Sequence, residues 1–138
     1  MQESGSILKN ILSKTNLSFI SSIDNSGYPK TRAMLLPCER EGETVFIYHT
    51  NTSSAKVSQY RSNPKACIYF CVPEAFLGIV LTGTMEVLED RASKTKYWKK
   101  EYALYYPKGV SDPDYCILRF TAESGEYYHD FSVEEFSL

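Results

Sequence analysis

Apolar and polar positions alternate with a period of two over most of the chain and change to helical spacing in three places. Residues 6–14 place Ile7, Leu8, Ile11 and Leu12 at helical spacing, which predicts a short amphipathic helix. Residues 17–23 and 28–39 predict two strands, joined into a hairpin by the turn Asp24-Asn25-Ser26-Gly27. A second turn at Glu41-Gly42-Glu43 leads to a third strand over 44–49. Thr52 or Ser53 then caps a helix that runs to about Ser62, where Asn63-Pro64 stops it, because the residue before a proline is pushed out of the α region. Residues 65–72 and 78–88 predict two more strands, parted by Pro73-Glu74, and Gly83 marks a bulge or a close approach in the second. Residues 91–106 predict the third helix, and 115–121 and 126–131 two last strands around Ser124-Gly125.

Strands linked by tight turns pair antiparallel, and a sheet of this many strands curls into a barrel, leaving the helices to cover its openings and edges. The expected class is therefore mainly β, an α+β arrangement in one domain spanning 1–138. A chain of this length can bury roughly two-thirds of the surface it exposes when unfolded, so it needs neither disulfides nor a metal to fold. Four cysteines, Cys38, Cys67, Cys71 and Cys116, form no Cys-x-x-Cys pair; Cys67 and Cys71 would share one face of a strand, in a packing role.

Formal charge is −2, which gives no general pull toward nucleic acid or an anionic membrane. No apolar run is long enough to span a bilayer, and the first residues lack a signal-peptide pattern, so the expected setting is cytoplasmic. Lys94, Lys96, Lys99 and Lys100 surround Tyr97 and Trp98, a pattern that could bind a nucleic-acid strand; at helical spacing Tyr97, Trp98, Tyr102 and Tyr105 instead include a buried stripe with the lysines on the wet side. No nucleophile motif and no metal-ligand cluster is visible, so any catalysis needs a cofactor.

The candidate chemistry lies between Gly27 and Lys56. Strand alternation puts Arg32, Met34 and Leu36 on one face, and a charge on an apolar face needs a partner. A phosphate would serve, held by the forked guanidinium; a salt bridge to one of the acids would serve as well. Thr50, Thr52, Ser53 and Ser54 lead into a helix start, with Lys56 in its first turn. Such a start offers N–H groups and positive charge to a phosphate, although the same residues also make an ordinary capping cluster. Together the strand and the helix start suit a phosphorylated planar cofactor, flavin mononucleotide (FMN) first. His49 closes the strand before this helix, where it can contact a flavin or act as a satisfied strand-end residue; His129 has no visible partner.

These pieces occur in a familiar order: Gly27-x-Pro29-x-x-Arg32-x-Met34, Thr50 to Lys56 with Ser54, Asn63-Pro64, Gly83, and Pro107-x-Gly109-x-x-Asp112-Pro113-Asp114-Tyr115. The chain resembles the pyridoxamine 5′-phosphate oxidase-related family of FMN-binding split barrels, in its general stress protein 26-like branch. The resemblance implies a six-stranded antiparallel split β-barrel of Greek-key type with flanking helices. It implies a homodimer with one FMN in each cleft between subunits. By position, Arg32 and Lys56 would bind the phosphate with Ser54, Thr50 and His49 would lie at the flavin, the backbone of Met34 and Leu35 would line the ring edge, and Gly78 would approach from a later strand. The implied activity is electron transfer from a reduced nicotinamide through flavin to a small acceptor, with a non-catalytic flavin- or haem-binding stress role as the alternative. The chain departs from the vitamin B6 oxidases at Pro37, where they carry lysine, at Ala55, where they carry a second basic residue, and after His129, where no Arg-x-His segment follows. Those departures point away from pyridoxamine phosphate as the substrate.

Overall fold

Asp24 closes the first hairpin. Its carboxylate accepts hydrogen bonds from the backbone N–H groups of Ser26 and Tyr28, both at 2.9 Å, and Gly27 supplies the left-handed φ of 84° the turn requires. The hairpin joins β1 (Leu17–Ile23) to β2 (Pro29–Leu35) in a computed structural model that describes residues 2–138. The other strands are β3 (Glu39–Glu41), β4 (Val45–Asn51), β5 (Lys65–Val72), β6 (Leu77–Leu88), β7 (Tyr115–His129) and β8 (Ser132–Ser137). The helices are α1 (Gln2–Leu12), α2 (Ala55–Ser62) and α3 (Arg91–Tyr97). All pairings are antiparallel, in the order β2-β1-β5-β6-β7-β4-β3, with β8 added to the far part of β7.

The sheet is strongly curled. Phe46 on β4 and Phe70 on β5 lie three strands apart in the pairing order, with β6 and β7 between them, which in a flat sheet would hold them about 14 Å apart. Their ring centroids are 6.1 Å apart. Tyr48 on β4 likewise donates its hydroxyl to Ser18 on β1, at 3.1 Å, across the gap between the two ends of the sheet. Inside the curl, Ile20, Phe46, Ile68, Phe70, Leu81 and Phe120 are fully buried, and α1 (Leu8, Ile11) and α2 (Val57, Tyr60) close the core. A second, aromatic core lies on the other face of β4 and β7. There Ile47 and Ile117 are covered by Tyr97, Tyr102, Tyr106 and Tyr115, from α3 and the segments after it.

The six long strands are the expected barrel; β3 and β8 extend it. Several boundaries differ from expectation. Residues 28–39 are not one strand: β2 ends at Leu35, and after Pro37 the chain re-pairs as β3 on β4. Ser124-Gly125 is no turn but the middle of the long β7. The turn falls instead at Asp130-Phe131, both with positive φ, as a two-residue hairpin needs. Ser54, rather than Thr52 or Ser53, is the α2 N-cap, and its side chain makes no capping bond. The third helix stops at Tyr97, where Trp98 turns extended, and continues as a 3-10 turn at Lys100–Leu104. Lys94 is not on its wet side: it is buried, donates to the Asp112 carbonyl at 3.0 Å and sits over the Tyr115 ring.

Candidate functional site

Arg32 lies on the core-facing side of β2, in register with the buried Ile20 of β1. Met34 and Leu36 follow on the same face, packed against the main core. The Arg32 guanidinium donates to the Ser22 hydroxyl at 2.9 Å, the Ile20 carbonyl at 3.4 Å and the Gln59 Oε1 at 3.4 Å. All three partners are neutral, and Arg32 has no ion pair among the described residues. The salt bridge that the sequence left open is therefore not what holds it.

Lys56 stands in the first turn of α2, half-buried, and donates to Ser54 Oγ at 3.2 Å. Ser54 Oγ in turn donates to the Asn51 carbonyl at 2.7 Å. Burial, and next the positive field of Arg32, lower the Lys56 pKa from its ordinary value. Arg32, bonded to Gln59, and Lys56, one turn earlier on α2, thus both lie against this helix, and among the described residues neither has a carboxylate partner. In the first turn of α2 the Val57 N–H turns back to the Ser54 carbonyl at 3.1 Å, while the N–H groups of Ala55 and Lys56 have no intrahelical carbonyl to reach. Thr52 Oγ1 is shut off from solvent without a hydrogen-bond partner. Thr50 is buried on the core face of β4.

Asp114 organises the approach to α2. Its carboxylate accepts from the Ser53 N–H at 2.8 Å and from Asn51 Nδ2 at 2.6 Å, and its carbonyl accepts from the Thr52 N–H at 2.9 Å. These bonds spend its charge on the loop and lower its pKa, the Asn51 bond first. Asp112 does the same for its own turn, accepting from the N–H groups of Lys108 and Asp114. The Asp-Pro-Asp-Tyr segment therefore acts as a brace.

Arg32, Ser54 and Lys56 come together, with Thr50 at the same end of β4. Met34 and Leu35 lie on β2, which among the described residues pairs only with β1 and so leaves half of its backbone groups unpaired on its outer edge. Leu35 itself points outward and is exposed. His49 does not share the Thr50 face. It points into the aromatic core, bonded through Nδ1 to the Tyr106 hydroxyl at 2.9 Å and lying 3.9 Å from the Tyr102 ring. Burial, then Lys99, lowers its pKa. Gly78 is not brought to Arg32 within one protomer. It sits three strands away on the outer face of β6, where a Cβ would fall 2.3 Å from the Tyr69 hydroxyl. Sequence reasoning missed Ser22 and Gln59. Only the spacing of Gln59 three residues after Lys56, on the same helix face, could have signalled one of them.

The profile of the family described as pyridoxamine 5′-phosphate oxidase like matches residues 3–135. The chain belongs to the pyridoxamine 5′-phosphate oxidase-like family. A pyridoxine/pyridoxamine 5′-phosphate oxidase of Legionella pneumophila is 30% identical over 99 residues, covering 72% of this chain and 45% of the relative. The chain spans less than half the length of the curated relatives it matches. Among solved structures, a protein related to general stress protein 26 from Clostridium acetobutylicum superposes with a TM-score of 0.89 at 34% identity, covering 100% of this chain and 96% of that one. A heme binding protein from Mycobacterium smegmatis shares the fold, with a TM-score of 0.72 at 14% identity over 97% of this chain and 57% of its own. The split-barrel fold of this family accounts for the curled sheet and for its open edge at β2. Among the described residues no helix is long and apolar enough to cross a membrane, and no group of three or more His, Cys, Asp or Glu is placed to hold a metal.

Proposed function

We propose that this chain is an FMN-binding oxidoreductase that takes electrons from a reduced nicotinamide and passes them to a small acceptor. The observation that carries this reading is the pair Arg32 and Lys56, two uncompensated cations against the first two turns of α2 at the rim of an apolar core. A phosphate there would be met by a forked guanidinium, an ammonium, the Ser54 hydroxyl and first-turn N–H groups. The orphaned Thr52 Oγ1 and the buried Thr50 add donors at the same end of β4. The free edge of β2 at Met34 and Leu35 offers backbone groups to the rim of a planar ring. Bound FMN would supply the redox chemistry; the protein's part is to hold the phosphate, place the ring and keep water from one of its faces.

The site would be completed by a second copy of the chain. The outer face of β2, β1 and β5 carries the exposed Leu35, Leu17 and Tyr69 and the half-buried Phe19. A homodimer that covered this face would give a route by which Gly78 of one protomer reached the cofactor of the other. Ala55 and Pro37 stand where the vitamin B6 oxidases carry basic residues, which argues for a substrate other than pyridoxamine phosphate. Four free thiols fit a cytoplasmic setting.

The test is to add FMN to purified protein, follow the flavin bands and fluorescence, and then supply reduced nicotinamide with a dye as acceptor. Flavin binding with turnover is the expected result. Binding without turnover would replace the enzyme by a flavin-holding protein, and no flavin binding with a shifted haem Soret band would favour a haem-binding role.

A further inference from the structure

Gln59 touches both Arg32 and the barrel wall behind it. Its Oε1 accepts from Arg32 Nη2 at 3.4 Å and from the hydroxyl of Ser22, which is fully buried. Ser22 Oγ also accepts from Arg32 Nη1 at 2.9 Å, so the three side chains close a ring. Both neighbours donate, which fixes the Gln59 amide with its oxygen toward them. The ring orients the guanidinium but contains no negative charge. Elsewhere Arg61 and Arg119 rest directly on the carboxylates of Glu89 and Glu86. A glutamate at position 59 would make the same bonds to Arg32 and Ser22 and would add a salt bridge. The neutral amide is therefore the feature that needs explaining. Lys56 lies three residues before Gln59 on the same face of α2, with its pKa depressed in part by the unquenched charge of Arg32.

We propose that Gln59 is a positioning residue that aims Arg32 at the α2 N-terminus without neutralising it, and so sets the site to take a dianionic phosphate group. The inference rests on the reading of Arg32 as a phosphate ligand. A purely structural role for Gln59 predicts that loss of its hydrogen bonds matters and that Glu, which keeps them, is the mild substitution. A charge-setting role reverses that order.

The experiment uses the full chain, with Gln59→Glu and Gln59→Leu beside the wild type, and three probes: inorganic phosphate, FMN and riboflavin. The wild type should melt higher in phosphate than in chloride of equal ionic strength. Gln59→Glu should melt at or above the wild type without ligand, lose the phosphate-induced rise, and bind FMN at least about 10-fold more weakly, the scale of one charged hydrogen bond, with riboflavin affinity unchanged. Gln59→Leu should retain more of the FMN affinity than Gln59→Glu. A Gln59→Glu protein that keeps the phosphate response or the FMN affinity, or that outperforms Gln59→Leu, overturns the proposal. A wild type that responds to phosphate but binds FMN no better than riboflavin overturns the flavin reading alone, and the phosphate response of the variants still decides the role of Gln59. A wild type with neither response overturns both.

Discussion

Arg32 and Lys56 are predicted to act as separate phosphate contacts. Arg32→Ala and Lys56→Ala should each weaken FMN binding by about 1.5–3 kcal/mol, the range for a hydrogen bond to a charged group, measured by flavin fluorescence titration. Lys56 also gives the site a pH dependence. Its pKa is lowered in the free protein, so as pH rises it loses its proton before an ordinary lysine would. FMN affinity should therefore decline on the alkaline side, beginning below the usual lysine range, and Lys56→Arg should flatten that decline. His49 makes the opposite end of the pH scale informative. Burial depresses its pKa, so the unfolded chain takes up the proton first as pH falls. Its contribution is a loss of stability on acidification below the ordinary histidine pKa, and His49→Gln should lessen that loss in denaturant melts at pH 5 relative to pH 7. Arg32 was legible in the sequence because strand alternation alone put a charge on an apolar face. Ser22 and Gln59 were not, because a serine in a strand and a glutamine in a helix gain their role only when α2 docks on β1.

At the scale of elements, glycines were harder to interpret than strands. Gly125 reads as a turn beside Ser124, yet it lies mid-strand in β7, where a Cβ would fall 2.5 Å from the Phe136 ring of β8 and 2.9 Å from Leu81. The residue is small because neighbours crowd it, a reason no local pattern carries. The true turn, Asp130-Phe131, has a bulky residue at positive φ and so lacks the usual signature. β8 went unseen because its sequence is mostly polar and every residue of it except the partly buried Phe136 is exposed, so it carries no alternation. Gly83 did signal itself: the β6–β7 register shifts at Thr82/Gly83, and a Cβ there would lie 1.9 Å from the Thr121 carbonyl oxygen. Backbone cannot swing aside as a side chain can. Gly83→Ala should therefore cost on the order of 2–3 kcal/mol or more in urea denaturation, at the upper end for an overpacked position. A cost under about 0.5 kcal/mol, the range of neutral surface changes, would show that β7 gives way easily.

For the whole molecule, antiparallel pairing and a barrel followed from short turns between alternating strands, but the closure did not. It depends on contacts such as Phe46 with Phe70 and Tyr48 with Ser18, between residues far apart in the chain. The second aromatic core was also only half legible: helical spacing puts Tyr97, Trp98, Tyr102 and Tyr105 on one stripe, but the helix ends at Tyr97, Tyr105 is exposed, and Tyr106 is the residue buried against His49. The apolar outer face of β2, β1 and β5 leads to a prediction about assembly. The protein should run as a dimer in light scattering coupled to size exclusion, and Leu17→Asp should shift it toward monomer and weaken FMN binding with it. A folded wild-type monomer would remove the partner subunit from the proposed site. The central claim is that Arg32 and Lys56 hold a phosphate beside the sheet, and it is tested most directly by titrating the wild-type protein with FMN and with riboflavin under identical conditions. The two ligands differ only by the phosphate. FMN binding at least about 10-fold tighter is the predicted result, on the scale of charge-assisted phosphate contacts; equal affinity for the two would contradict it.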